Sequence, residues 1–193
     1  LYFQIPVFTV SVFLKSEEIS QIRHAMNQMQ VSRIRKRSEV APIEDDNFKQ
    51  YFSQDNFFLW TKGDKTGLLE EMAESLSVDE SVDFKQSLLY EIKQREALSS
   101  VVFSKRVAVP HPIRPLGKEV KVSVAICQEP VSWDSQSSHI QLVFLLSPSL
   151  YGNDGLKDVT KKIVSLTEND DLQKQLIKCK DFDEFITIFE KIT

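Results

Sequence analysis

Glycine is scarce in this chain. Only five residues carry it, at positions 63, 67, 117, 152 and 155. No G-x-G-x-x-G and no G-x-x-x-x-G-K can be written from them, which excludes the Gly-rich loops that cradle phosphates. Cysteine is rarer still. Cys127 and Cys179 stand far apart with no C-x-x-C, so neither a disulfide framework nor a Cys-rich zinc site is expected. Two buried thiols in a reducing compartment account for them. No metal-ligand set and no cofactor motif is visible. No apolar run approaches the ~20 residues of a membrane span. The apolar stretch 5–14 has no basic segment before it, so it does not read as a signal peptide, and a cytoplasmic protein is expected. A basic excess is missing too. Twenty-four Lys and Arg face 28 Asp and Glu, a formal net charge of −4. That argues against direct nucleic-acid binding by this stretch. It does not exclude a regulator whose DNA-binding part is missing from this stretch.

What is present is an ordinary globular composition, 41% hydrophobic and 27% charged over 193 residues, enough for one full core plus part of a neighbour. Residues 1–4, Leu-Tyr-Phe-Gln, read as the remnant of a protease-site tag. Ile5 to Leu14 is β-branched and aromatic, as in a strand. Ser16 can cap a helix striped by Ile19, Ile22, Met26 and Met29, which ends in the cations Arg33, Arg35, Lys36 and Arg37. Residues 38–56 are polar, contain Pro42 and read as a linker with a short helix around Phe48–Phe52. One strand and one helix cannot close a core alone, so residues 5–37 are expected to be the tail of a neighbouring domain or to pack on the main one. The free edge of such a strand should seek a partner, and pairing with another molecule, as a homodimer or a swapped arm, is the expectation.

The main domain is expected over 57–193. Phe57–Leu59 reads as a short strand. Thr66 can cap a helix carrying Leu68, Leu69, Met72 and Leu76, and a second helix follows with Phe84, Leu88, Leu89 and Ile92 on one face. Val107–Val109 is a short extended piece. Val120, Val122, Val124 and Ile126 alternate with smaller or more polar residues, as in a strand with one face buried more fully. Ile140–Leu146 is nearly continuous, as in a strand buried on both faces. Three apolar-striped helices finish the chain, with Thr167-x-x-Asp170 and Asp181-x-x-Glu184 as caps for the last two. Strands and helices in mixed order indicate an α/β fold.

Three histidines could carry chemistry: His24, His111 and His139. His24 lies off its helix's apolar stripe, and His139 opens a buried strand after a polar turn; neither has a neighbourhood that implies a role. His111 sits in Val107-Ala108-Val109-Pro110-His111-Pro112. Pro110 fixes its own φ, and Pro112 drives His111 toward extended backbone. A stiff chain lowers the cost of holding a reactive ring in one geometry, although a Pro-His-Pro turn can also be purely structural. Arg95 ends the preceding helix. A histidine that accepts a phosphoryl group becomes an anionic site, which a planar guanidinium suits. A surface pair of Arg95 with Glu91 or Glu96 is the competing reading.

Arg95-Glu96-Ala97-Leu98-Ser99-Ser100 followed by Val107-Ala108-Val109-Pro110-His111 resembles the active-site pattern R-E-x-L-x-x-T … I/V-A-I/V-P-H of type 2 enzyme IIA. This is the mannitol/fructose class of the phosphoenolpyruvate-dependent sugar phosphotransferase system. Pro130-Val131-Ser132-Trp133 resembles the family's P-I-x-W turn, and the likeness runs in order over residues 57–192. The resemblance implies a mixed β-sheet flanked by helices and a histidine phosphorylated on Nε2 by the phosphocarrier HPr. His111 would be the phosphoacceptor and Arg95 its stabilising partner, with no metal or cofactor. The family threonine falls at Val101. Gly155 stands where transport members carry a second active-site histidine, which puts onward transfer to enzyme IIB in doubt. These departures, and Pro112, resemble the enzyme IIA-like domains that end BglG/LicR/MtlR-type bacterial transcription regulators, among them antiterminators. An enzyme IIB-like domain precedes the IIA-like one there, and Phe8–Ile22 is similar to its last strand and helix. The implied function is a regulatory domain phosphorylated at His111. The alternative is a transport enzyme IIA that relays phosphoryl to a sugar-specific enzyme IIB.

Overall fold

A computed structural model describes residues 47–192, Gly63 excepted. The expected strand from Ile5, the helix from Ser16, His24 and the dimer built on that strand lie outside the described residues. A short 3-10 helix, Asn47–Tyr51, leads into four strands: β1 (Phe52–Trp60), β2 (Val107–Ala108), β3 (Lys121–Val131) and β4 (Ile140–Ser147). Between β1 and β2 come helices α1 (Lys65–Leu76) and α2 (Phe84–Leu98). After β4 come α3 (Leu156–Glu168), α4 (Asp170–Ile177) and α5 (Phe182–Glu190). The sheet order is β1-β3-β4-β2. β1 runs parallel to β3, β3 antiparallel to β4, and β2 parallel to β4. The expected mixed sheet flanked by helices is what the chain forms.

The strand alternation sorts the core onto two faces. Val122, Val124, Ile126, Leu142, Phe144 and Leu146 join one cluster with Val159, Ile163, Leu166, Leu176, Phe185 and Phe189 from α3, α4 and α5. Ala125, Cys127, Val143 and Leu145 join the other with Leu68, Met72, Leu76, Leu88 and Ile92 from α1 and α2. The expectation that one face of β3 is buried more fully than the other is corrected: Ser123, Ala125 and Cys127 are as buried as Val122 and Val124. Their small side chains let α1 lie close over the sheet. The one hydroxyl, on Ser123, donates to the carbonyl of Asn56 at 3.1 Å, so its burial leaves no unpaired polar group there. Both cysteines are buried and free, as expected. Burial pushes the thiols up to about 12 for Cys127 and about 11 for Cys179, which makes both inert as nucleophiles.

Three sequence expectations shift. The folded unit takes in residues 47–56, which the sequence reading gave to the linker. The register of β1 against β3 slips between Phe52 and Phe57, so both rings reach the same core. There they meet Phe185 at 6.0 and 5.5 Å between centroids, while Phe48 meets Phe189 at 5.7 Å. The polar stretch Ser53–Asn56 spans the irregular part. The cap of α1 is Asp64 rather than Thr66: its carboxylate accepts from Gly67 N–H at 2.7 Å. The cap of α4 is Asn169, which accepts from Leu172 N–H at 3.0 Å. Thr167 instead bonds backward to the Val164 carbonyl within α3, a competing use of a short hydroxyl side chain. Asp181 caps α5 as expected, accepting from Glu184 N–H at 2.8 Å.

Candidate functional site

The Val107–Pro112 segment leaves the edge of the sheet where β2 ends. Val109 N–H donates to the Val101 carbonyl at 2.8 Å, and the Pro110 carbonyl accepts from Leu146 N–H at 3.0 Å. Pro110 and Pro112 are both buried. His111 is thus held by backbone bonds before it and a buried proline after it. Its ring is half-buried and turns back so that Nδ1 lies 2.8 Å from the Val109 carbonyl. A carbonyl only accepts, so Nδ1 carries the proton, and the lone pair is on Nε2. That lone pair faces Arg95, whose Nε donates to it at 3.0 Å.

Arg95 is fixed from the other side. It lies in the last turn of α2, and its Nη1 donates to the carbonyl and hydroxyl of Ser99 at 3.0 and 2.7 Å. Nη2 bonds to none of the described residues. The pairing of Arg95 with Glu91 or Glu96 does not occur, because both carboxylates are engaged elsewhere. Glu91 accepts from Arg114. Glu96 accepts from Lys65 Nζ and from the Trp133 indole N–H, each at 2.8 Å. Lys65 also lies 4.7 Å from the centroid of the Trp133 ring. The Trp133 turn and the start of α1 are therefore pinned to the last turn of α2, and α2 is pinned where it presents Arg95.

The electrostatics favour a neutral ring. Burial lowers the His111 pKa below its usual value and outweighs the Val109 bond, which raises it; the positive Arg95 guanidinium lowers it further. A neutral imidazole with its proton on Nδ1 is a nucleophile at Nε2. The family threonine position, Val101, is buried in the α1–α2 core and supplies a carbonyl rather than a hydroxyl. His139 is exposed and its Nδ1 lies 2.8 Å from the Ser138 hydroxyl, a strand-end histidine with a satisfied hydrogen bond. The sequence reading brought His111 and Arg95 together. It missed Ser99, the Val109 carbonyl and the Glu91–Arg114 pair, because a backbone acceptor has no sequence signature and an ion pair between distant segments has little.

Among the described residues, no group of three or more His, Cys, Asp or Glu is placed to hold a metal. No described helix is long and apolar enough to cross a membrane.

The family model for the phosphoenolpyruvate-dependent sugar phosphotransferase system, EIIA 2, matches residues 50–192. The chain belongs to the type 2 enzyme IIA family. This agrees with the resemblance read from its Arg95 and His111 segments. The chain is also 26% identical over 189 residues to the probable licABCH operon regulator of Bacillus subtilis (strain 168); the match takes in 97% of the chain and 26% of that regulator. It therefore spans about a quarter of the regulator's length. Among solved structures, the enzyme IIA fold matches nitrogen regulatory protein IIA-Ntr from Neisseria meningitidis with a TM-score of 0.63 at 20% identity, covering 74% of this chain and 99% of that one. It matches mannitol enzyme IIA of Escherichia coli, in a complex with phosphorylated enzyme IIB, with a TM-score of 0.57 at 18% identity, covering 72% and 97%. At these identities the likeness is one of fold.

Proposed function

We propose that this enzyme IIA domain accepts a phosphoryl group from phosphorylated HPr on His111 Nε2, and that the added charge controls a sugar-responsive transcription regulator. The observation that carries the reading is the pairing at His111: Nδ1–H on the Val109 carbonyl, Nε2 beside a guanidinium. The Nε2 lone pair attacks phosphorus in line. The phosphorus–nitrogen bond of the donor phosphohistidine breaks, and its electron pair returns to the donor ring. His111 need lose no proton, because its own stays on Nδ1. Arg95 Nε exchanges the lone pair for a phosphoryl oxygen, and Nη2 supplies a second donor, giving the bidentate contact that Arg makes with phosphates. Such a transfer needs mainly positioning and charge stabilisation. No metal enters the scheme.

The likeness to a probable operon regulator supports the regulatory role. In that role, residues 5–37 are the end of an enzyme IIB-like domain, and the linker runs from 38 up to the start of the described fold. The new charge on His111 would alter contacts with the other domains of the same polypeptide.

The second reading is a transport enzyme IIA that relays phosphoryl to enzyme IIB. The solved complex of a fold relative with phosphorylated enzyme IIB favours it. Gly155 weighs against it. A Cβ there would fall 1.8 Å from the Tyr51 hydroxyl, so a histidine at 155 has no room while Tyr51 stays in place.

Incubation with phosphoenolpyruvate, enzyme I and HPr, read by intact mass, tests the proposal. One acid-labile phosphoryl group is expected on the chain and none on the His111→Ala variant. Phosphorylation of that variant to the same extent would overturn it. Passage of the label to a purified enzyme IIB would favour the relay.

A further inference from the structure

Two connections, not one, join α2 to the segment that carries His111. Arg95 donates to His111 Nε2. One turn earlier on the same face of the helix, Glu91 Oε1 accepts from both Nε (at 3.1 Å) and Nη2 of Arg114. Positions four apart on a helix point the same way, and His111 and Arg114 belong to one short loop. The result is a ladder of two rungs between helix and loop. The lower rung takes no part in the transfer set out above.

Glu91 is an expensive residue to keep. Its side chain is 6% exposed, whereas that of Arg114 is 75% exposed. A carboxylate withdrawn from water toward a solvated partner is a weak source of stability, so what the pair supplies is geometry. Nη1 of Arg95 is tied to Ser99 at the end of α2. The guanidinium is therefore fixed relative to the helix, and the position of the loop sets the Nε–Nε2 distance. Beyond His111, the loop is next anchored at Leu116 and Gly117, whose N–H groups donate to the Pro148 carbonyl at 3.3 and 3.1 Å. The stretch between, Ile113–Pro115, is exposed. Arg114 is its one side-chain bond to α2 among the described residues. Both N–H groups end on the same oxygen, so sliding the loop along the helix breaks both.

We propose that Glu91 and Arg114 are positioning residues for His111, locking its loop against α2 in the register at which Arg95 meets Nε2. This rests on His111 being the phosphoacceptor. Displacing a reacting group by about an ångström costs on the order of 100-fold in rate, and a loosened loop should cost part of that.

The test uses the full chain as wild type, Glu91→Gln, Arg114→Gln, Arg114→Lys and the double variant Glu91→Gln/Arg114→Gln. The readouts are the rate of phosphoryl uptake from phosphorylated HPr and the ring titration of His111 followed by NMR. Each Gln substitution should slow uptake about ten-fold, and the double variant should be no slower than the slower single. Arg114→Lys should recover part of the rate, because it keeps the charge with a single donor group. In both single Gln variants His111 should titrate nearer its ordinary value, since a loose loop admits water to the ring. Rates that multiply in the double variant, or single variants that melt lower yet keep the wild-type rate and titration, would overturn the proposal. If wild type takes no phosphoryl from HPr, the functional reading fails. The titrations still decide the positioning role, and an unchanged His111 in the single variants then sinks it.

Discussion

At the scale of single residues, the site reduces to which nitrogen of His111 holds the proton. The Val109 carbonyl settles this, and burial together with Arg95 keeps the ring neutral. The downward shift fixes the sign of the pH dependence. An ordinary histidine protonates near pH 6.5, while His111 should resist protonation until the pH is lower. The midpoint of any loss of phosphoryl uptake on acidification should therefore lie below pH 6.5, as read in a pH–rate profile of single-turnover uptake. A decline centred at or above 6.5 would contradict the burial account. Stability follows the same sign. A neutral buried ring in the fold and an ordinary one in the unfolded chain mean that stability is full above about pH 6.5 and falls as pH drops below it. Arg95→Lys keeps the charge but loses the fork of donors. Uptake should fall by about ten-fold or more, the loss of one to two charge-assisted hydrogen bonds, read from the same kinetics. An unchanged rate would show that charge alone is used.

Elements show how much of this was legible beforehand and where the reading stopped. The continuous run Ile140–Leu146 and the stripes of α3 and α5 announced themselves through periodicity. The Pro-His-Pro segment stood out because proline constrains its neighbours. β1 was only half visible, because Ser53–Asn56 is polar and its bulge breaks the period of two on which strand reading relies. The caps of α1 and α4 were misplaced by two residues because Thr66 and Thr167 are as plausible chemically as Asp64 and Asn169. Which one caps is decided by where the preceding chain turns. Arg95 could be matched to His111 by family pattern, but its rivals Glu91 and Glu96 could be set aside only once Arg114, Lys65 and Trp133 were seen to hold them. The close approach of Tyr51 to Gly155 at the start of α3 was not legible at all, since it joins segments remote in sequence. It carries a prediction. Gly155→Ala should lower the melting midpoint by displacing the Tyr51 ring, and Gly155→Ala combined with Tyr51→Ala should be less destabilised than the sum of the two single changes, as measured by thermal denaturation. Additive effects would mean that the two residues do not share the space.

At the scale of the described fold, the core is built on both faces of one mixed sheet, and aromatic packing ties its first described residues into it. Phe48 and Phe52 lie among Phe185 and Phe189, and Asp46–Thr193 form one compact unit. A chain starting at residue 46 should keep the thermal midpoint of this unit. One starting at residue 57 should lose about 3–5 kcal/mol for each of the two phenylalanines removed, Phe48 and Phe52, a loss comparable with a typical domain's whole stability of about 5–15 kcal/mol. Equal midpoints for the two truncations would show that the aromatic cluster is not needed. The same frame positions the site: α2 is pinned to α1 and to the Trp133 turn through Glu96, and the His111 segment hangs from the edge strand.

The central claim is that phosphoryl arrives on Nε2 of His111 while Nδ1 keeps its proton. Proton–nitrogen correlation NMR of the selectively labelled histidine rings, recorded before and after phosphorylation by enzyme I, HPr and phosphoenolpyruvate, tests this directly. The account predicts a neutral His111 ring protonated at Nδ1 beforehand and a phosphorus coupling at Nε2 afterwards. A proton resident on Nε2 in the free protein, a phosphoryl group on Nδ1, or a His111 ring unchanged after the reaction would contradict it.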